Sequence, residues 1–172
     1  MHRPPRFQFF TKFVKPEGAH DTTFLELLKE YYCARGKLRV EIKKGHGKDQ
    51  SSIVNEAINR IGAYDKKIVV MDDDKSMIEM EKADKLAVAH EIIVLRNTPC
   101  IEGILIKILE PNKNINNMSS HELKIYFEKN YISKNNRTDK NAYRNKFPKA
   151  VLDEARERLP ELNKMIKIFE EQ

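Results

Sequence analysis

Four short apolar runs, separated by longer amphipathic stretches, limit what this chain can fold into more than any other feature. The most telling is Ile68-Val69-Val70-Met71, four apolar residues with no polar alternation. A strand with one wet face alternates apolar and polar residues. A continuous run belongs to a strand covered on both faces, as in a parallel sheet between helices. Phe7 to Val14, rich in aromatic and β-branched residues, reads as the first strand. Leu38-Arg39-Val40-Glu41-Ile42 alternates and reads as a strand nearer a sheet edge, and Ile92-Ile93-Val94-Leu95 as the fourth strand. Between them lie helical patterns. Phe24, Leu27, Leu28 and Tyr31 follow a start at Asp21-Thr22-Thr23, and Ile53, Ala57, Ile58 and Ile61 end at Gly62. A polar helix from Ser76 to Ala89 and an apolar one from Cys100 to Leu109 complete the series. The order βαβαβαβα predicts an α/β fold over residues 1–111, a Rossmann-like parallel sheet flanked by helices.

Beyond Pro111 the composition shifts, and residues 112–172 read as a helical C-terminal extension. Asn112 to Ser120 is polar, His121 to Tyr131 helical, and Lys149 to Phe169 a last helix that Pro160 should kink or split. Lys129 to Lys149 holds seven basic residues against one acid, Asp139, a surplus equal to the net charge of +6 of the whole chain. Its Lys134, Arg137, Lys140, Arg144 and Lys146 interleave with Tyr131, Tyr143 and Phe147. Cations pair with phosphates and aromatic rings stack on unpaired bases, so the segment reads either as a nucleic-acid surface or as a solvated loop. No stretch approaches the roughly 20 apolar residues of a membrane span, so no membrane partner is expected. Two cysteines, Cys33 and Cys100, fit a reducing cytoplasm and read as small buried hydrophobes.

Acidic residues gather at the C-terminal ends of the expected strands: Glu17 and Asp21 after the first, Asp72-Asp73-Asp74 after the third, and Glu102 just beyond the fourth. Ligands of open parallel sheets bind at that edge. Clustered carboxylates repel unless a cation lies between them, and such hard oxygen ligands select magnesium or manganese. Single acids there also have an ordinary reading, since a carboxylate is favourable at a helix N-terminus. His20 reads either as an acid–base group or as a loop histidine, and Lys75 either as a substrate contact or as a salt-bridge partner.

A hydrophobic strand ending in Glu-Gly, followed two helices later by one ending in Asp-x-Asp, resembles the TOPRIM domain of topoisomerases, bacterial primases, overcoming-lysogenization-defect (OLD) nucleases and ribosomal RNA maturases. The matching residues are Phe13-Val14-Lys15-Pro16-Glu17-Gly18 and Ile68 to Asp74. Asp21, four positions after Glu17, is similar to the second acid of the nuclease subgroup. Asn97-Thr98-Pro99-Cys100-Ile101-Glu102 is similar to the Asn-Pro-Cys-Phe-Glu signature of the small stand-alone RloB-like group of bacterial defence loci. The chain departs from the pattern at Pro16, where the first strand is expected to end early, and at Ile101 and Gly103. The resemblance covers about residues 7–110. It implies a magnesium- or manganese-dependent nuclease of anti-phage defence, cytoplasmic, with DNA or RNA as substrate and a partner protein from the same locus. Glu17, Asp72 and Asp74 would be catalytic, and these three with Asp21 and Glu102 would hold metal. Glu17 is open to either of two roles, metal ligand or general acid–base group. The competing readings are a non-catalytic nucleic-acid-binding TOPRIM scaffold and a receiver- or phosphatase-like domain using Asp72 as phosphoacceptor, for which Lys107 lies too far into its helix.

Overall fold

In a computed structural model that describes residues 10–33 and 36–171, four strands form one all-parallel sheet in the order β2-β1-β3-β4. The strands are β1 (Phe10–Pro16), β2 (Leu38–Ile42), β3 (Lys66–Asp72) and β4 (Ile92–Asn97). The start of the expected first strand, residues 7–9, lies outside the described residues. Helices α1 (Ala19–Tyr32), α2 (Gln50–Ile58), α3 (Met77–Ala89) and α4 (Ile101–Leu109) alternate with the strands. Then follow α5 (Ser120–Asn130), a 3-10 turn at Lys134–Asn136, α6 (Lys140–Lys146), α7 (Lys149–Arg156) and α8 (Pro160–Glu170). The α/β class read from the strand–helix alternation is the observed one.

Neighbouring strand residues point to opposite faces, and the two faces have separate cores. Phe13, Val69 and Met71 pack with Ile53, Val54, Ala57, Ala83 and Ala87 of α2 and α3. Val14, Ile68 and Val70 pack on the other face with α1 and α4. The unbroken apolar run of β3 therefore serves both layers. Helices α5 to α8 join the α1/α4 side, where Phe127, Phe147, Leu152, Leu162 and Phe169 share one hydrophobic cluster with Phe24 and Leu28. No helix among the described residues is long and apolar enough to cross a membrane.

Two local expectations need correction. β1 continues through Pro16, which is in register with Val70 of β3. Phe10 and Val14 bond toward β2, whereas Glu17 donates to the Val70 carbonyl on the β3 side. By that alternation the missing N–H of Pro16 faces β2, where pairing has already ended at Val14 and Ile42, so the ladder loses nothing. Helix α1 begins at Ala19, not Asp21, because Asp21 folds back as the third helical residue and accepts the Gly18 N–H at 3.2 Å. The last helix is split at Pro160 as expected, with the proline opening α8 where its absent N–H costs no helical bond.

Candidate metal centre

The sheet order places the crossover reversal between β1 and β3. α1 leaves β1 toward β2 on one face, while α2 and α3 return the chain across the other, so the C-terminal ends of β1 and β3 open into one crevice. Glu17 follows β1 directly, and Asp72 closes β3. One oxygen from each of Glu17, Asp72 and Asp74 lies within 4.8 Å of the others. This buried acidic triad can bind a metal ion. Asp73, between two of its members, turns away and accepts the Thr98 hydroxyl at 3.2 Å.

Glu17 and Asp72 are held by backbone. Glu17 Oε2 accepts the Asp72 N–H at 3.0 Å, tying the two strand ends together. Asp72 Oδ1 accepts the Ile101 N–H at the start of α4 at 3.0 Å, so the partial positive charge of a helix N-terminus faces it. The loop after β2 braces Glu17 from behind. Gly47 N donates to the Glu17 carbonyl at 2.9 Å, and a Cβ on Gly45 would lie 2.6 Å from the Glu17 carbonyl group. Gly45-His46-Gly47 thus works as a brace for the first acid.

Asp21 and Glu102 line the same cavity of about 270 Å3. Asp21 directs one oxygen to Gly18 and receives Asn97 Nδ2 on the other at 3.1 Å. Glu102 is 4% exposed, and its Oε2 is buried with no hydrogen-bond partner; Asp74 Oδ1 is in the same state. Buried polar oxygens are ordinarily satisfied, so an orphan on Glu102 and another on Asp74 are an invitation to a cation.

Two lysines answer part of the charge. Lys75 Nζ lies 3.5 Å from Glu17 and 3.8 Å from Asp74, as one of its two sequence readings foresaw. Lys124, on α5, lies 3.3 Å from Asp74 and 3.7 Å from Asp72. Five carboxyl groups still face two ammonium groups. Burial, then the charges of Glu102 and Glu17, push Asp72 up to about 7. Burial, then Asp72 and Glu102, hold Asp21 well above the usual carboxylate range. Burial opposes the charge of Lys124, but Asp72, Glu102 and Asp74 outweigh it and raise the ammonium above its ordinary value.

His20 is no loop residue. It sits in the first turn of α1, buried, with Nδ1 against the Tyr143 hydroxyl and Nε2 3.4 Å from Glu128. Lys124, Glu128, Tyr143 and Asn97 all reach the site or its first neighbours, and the sequence reading missed them as site residues. Asn97 had a local signal, the last position of an apolar strand before a proline turn. The others arrive by helix packing, which local sequence does not encode. Lys107, among the described residues, does not line the cavity.

The five basic candidates separate. Arg137 lines the acidic cavity. Lys140 pairs with Glu26 at 3.4 Å and Arg144 with Glu30 at 2.9 Å, which docks α6 on α1. Lys134 and Lys146 stand exposed. The interleaved aromatics are not a stacking platform. Tyr143 and Phe147 are fully buried against Phe24, His20 and each other, and the half-buried Tyr131 gives its hydroxyl to Glu110. Their i, i+4 spacing on α6 is the mark of a core-facing helix stripe. Cys100 is buried as expected, whereas Cys33 is only half-buried. No family model matches this chain, and no curated protein or solved structure does either.

Proposed function

We propose that this protein is a divalent-metal-dependent nuclease, acting on phosphodiester bonds of DNA or RNA. The observation that carries the proposal is the convergence of Glu17, Asp72 and Asp74 at the sheet's reversal point, with Asp74 Oδ1 and Glu102 Oε2 buried without a hydrogen bond. The donor set is all carboxylate oxygen, without nitrogen or sulfur, which suits magnesium or manganese. Glu17, Asp72 and Asp74 would hold the ion, with Asp21 and Glu102 lining the same pocket for a second. Such an ion supplies Lewis acidity toward a phosphoryl oxygen and acidifies bound water.

The chain's own groups have separable tasks in this reading. The Asp72 N–H and the Ile101 N–H fix the Glu17 and Asp72 carboxylates before any ligand arrives. Lys75 and Lys124 lower the cost of gathering those carboxylates and present ammonium groups beside a substrate phosphate. The Tyr143–His20–Glu128 chain fixes one wall of the cavity. The placement at bacterial defence loci, with a partner protein and a cytoplasmic setting, follows from the resemblance to the RloB-like and OLD-type TOPRIM proteins and is proposed on that ground.

One observation favours the scaffold reading: Lys75 and Lys124 give the acids partners without metal. Those two cations still leave Glu102 Oε2 buried without a hydrogen-bond partner, and an inert scaffold gains nothing from keeping it so. The deciding experiment is cleavage of end-labelled single- and double-stranded DNA and RNA in magnesium, manganese and chelator. Cleavage that needs metal, and that Asp72→Ala lowers more than roughly 100-fold while binding persists, is the expected result, since even residues behind a metal ligand are worth about 10–100-fold. Metal-independent cleavage, or equal rates for the two proteins, would contradict the proposal.

A further inference from the structure

A second cavity, of about 710 Å3, opens beside the acidic one. Gly18, Ala19, Gly47 and Arg137 line both, so the two form one trough with a narrow waist. The waist has little side chain on three of its four sides. Gly47, at φ +64°, has open space where a Cβ would be. Both walls are fixed to α1. Thr22 Oγ1 accepts the Gly45 N–H at 2.9 Å, and Thr23 Oγ1 donates to the Arg137 carbonyl at 2.7 Å.

The charge changes sign along this trough. The acidic end carries the triad, while the larger end presents Lys44, His46, Arg137 and Lys140 with Glu26 as its lone acid. Glu26 is engaged by Lys140 at 3.4 Å, which leaves Lys44 and Arg137 as the lining cations that make no ion pair among the described residues. Cavities of about 300–1,000 Å3 take drug-sized ligands, which is the size class of a nucleotide unit and far too small for a duplex. A chain with one phosphate at the acidic end must pass the waist, and its next phosphate then lies among cations.

We infer that the larger cavity seats the nucleotide next to the scissile phosphate of a single-stranded nucleic acid, with Arg137 and Lys44 as positioning residues for its phosphates. This rests on the phosphodiester-processing reading of the acidic cluster. It also divides the basic segment: Arg137 meets the strand, while Arg144, locked on Glu30, serves the fold.

The test is a salt titration of the full chain with fluorescent single-stranded 12-mers of DNA and RNA, in calcium to hold them uncleaved, beside a magnesium-dependent thermal shift. Arg137→Ala/Lys44→Ala should bind roughly ten- to thirty-fold more weakly at 0.1 M salt. Its salt slope should fall by about 1.4, two contacts at about 0.7 each for single strands. Lys85→Ala/Lys164→Ala, exposed lysines outside the trough, should match wild type both in its salt slope and in its magnesium shift. An unchanged slope in the Arg137/Lys44 variant, or wild type binding a blunt duplex as tightly as the single strand, overturns the subsite while leaving the metal reading standing. A wild-type protein without a magnesium shift overturns the metal reading itself and the subsite with it.

Discussion

At Asp72, hydrogen bonding and burial pull in opposite directions. The Ile101 N–H favours the charged carboxylate, yet the pocket's low exposure and the neighbouring Glu102 and Glu17 prevail and lift it to about 7 from 3.8. The raised value means that the folded protein holds a proton which the unfolded chain has lost. Without metal, this contribution is fully present below about pH 4 and disappears as pH rises through about 7, a few kcal/mol in all. Asp21 shifts in the same direction and steepens the loss. Asp72→Asn keeps the acceptor for Ile101 and removes the charge. We therefore expect denaturant unfolding of metal-free Asp72→Asn to show a much flatter decline between pH 5 and pH 8, with higher stability than wild type at pH 8. A variant that is less stable at pH 8 would mean that the carboxylate is stabilising there. The strand-end positions of Glu17 and Asp72 were legible in the sequence, because an apolar run that stops at an acid fixes where that acid must lie. The charge state of Asp72 was not, because it depends on burial by α4 and α5.

At the scale of elements, the crevice is assembled by loops that approach closely. The Gly45 site is the tightest, since an added Cβ would meet the Glu17 backbone at 2.6 Å and the Gly18 nitrogen at 2.7 Å, atoms that cannot yield without moving the first acid. Gly36 is a useful contrast: its φ of +85° disfavours a side chain, but nothing lies within 4 Å of one. Gly45→Ala should cost about 1–3 kcal/mol in chemical denaturation, as overpacking does, and also weaken magnesium binding in calorimetric titration. Gly36→Ala should cost roughly 1–2 kcal/mol and leave the magnesium isotherm unchanged. Equal metal affinity in both variants would show that the loop does not brace Glu17. Strands and helices of this half were readable from periodicity, because each buries a stripe or a face of its own. The boundary errors came from chemistry that acts over three or four residues, as at Gly18 and Asp21, where a carboxylate folded back on its own helix start.

For the whole molecule, the C-terminal helices do more than extend the sheet domain. Their Phe127, Tyr143 and Phe147 enter the core of α1 and α4, and the same packing delivers Lys124 and Arg137 to the acidic crevice. Those two cations lie fifty or more residues beyond the triad in the chain, so no local pattern announced them. The aromatic spacing that suggested base stacking was in truth a core signal, Tyr143 and Phe147 one helical turn apart. The fold was thus legible wherever one segment carries its own period, and the site only where strand ends carry it. Everything contributed by helix-on-helix docking had to be seen in three dimensions.

The central claim is that Glu17, Asp72 and Asp74 form one cation site. It is tested most directly by anomalous scattering from crystals of the protein soaked in manganese. A manganese peak is expected in the crevice between β1 and β3, with oxygens of all three carboxylates at roughly 2.0–2.6 Å, and is expected to vanish in Asp72→Asn. Crystals whose crevice shows no manganese peak, with Lys75 and Lys124 still paired to the acids, would contradict it.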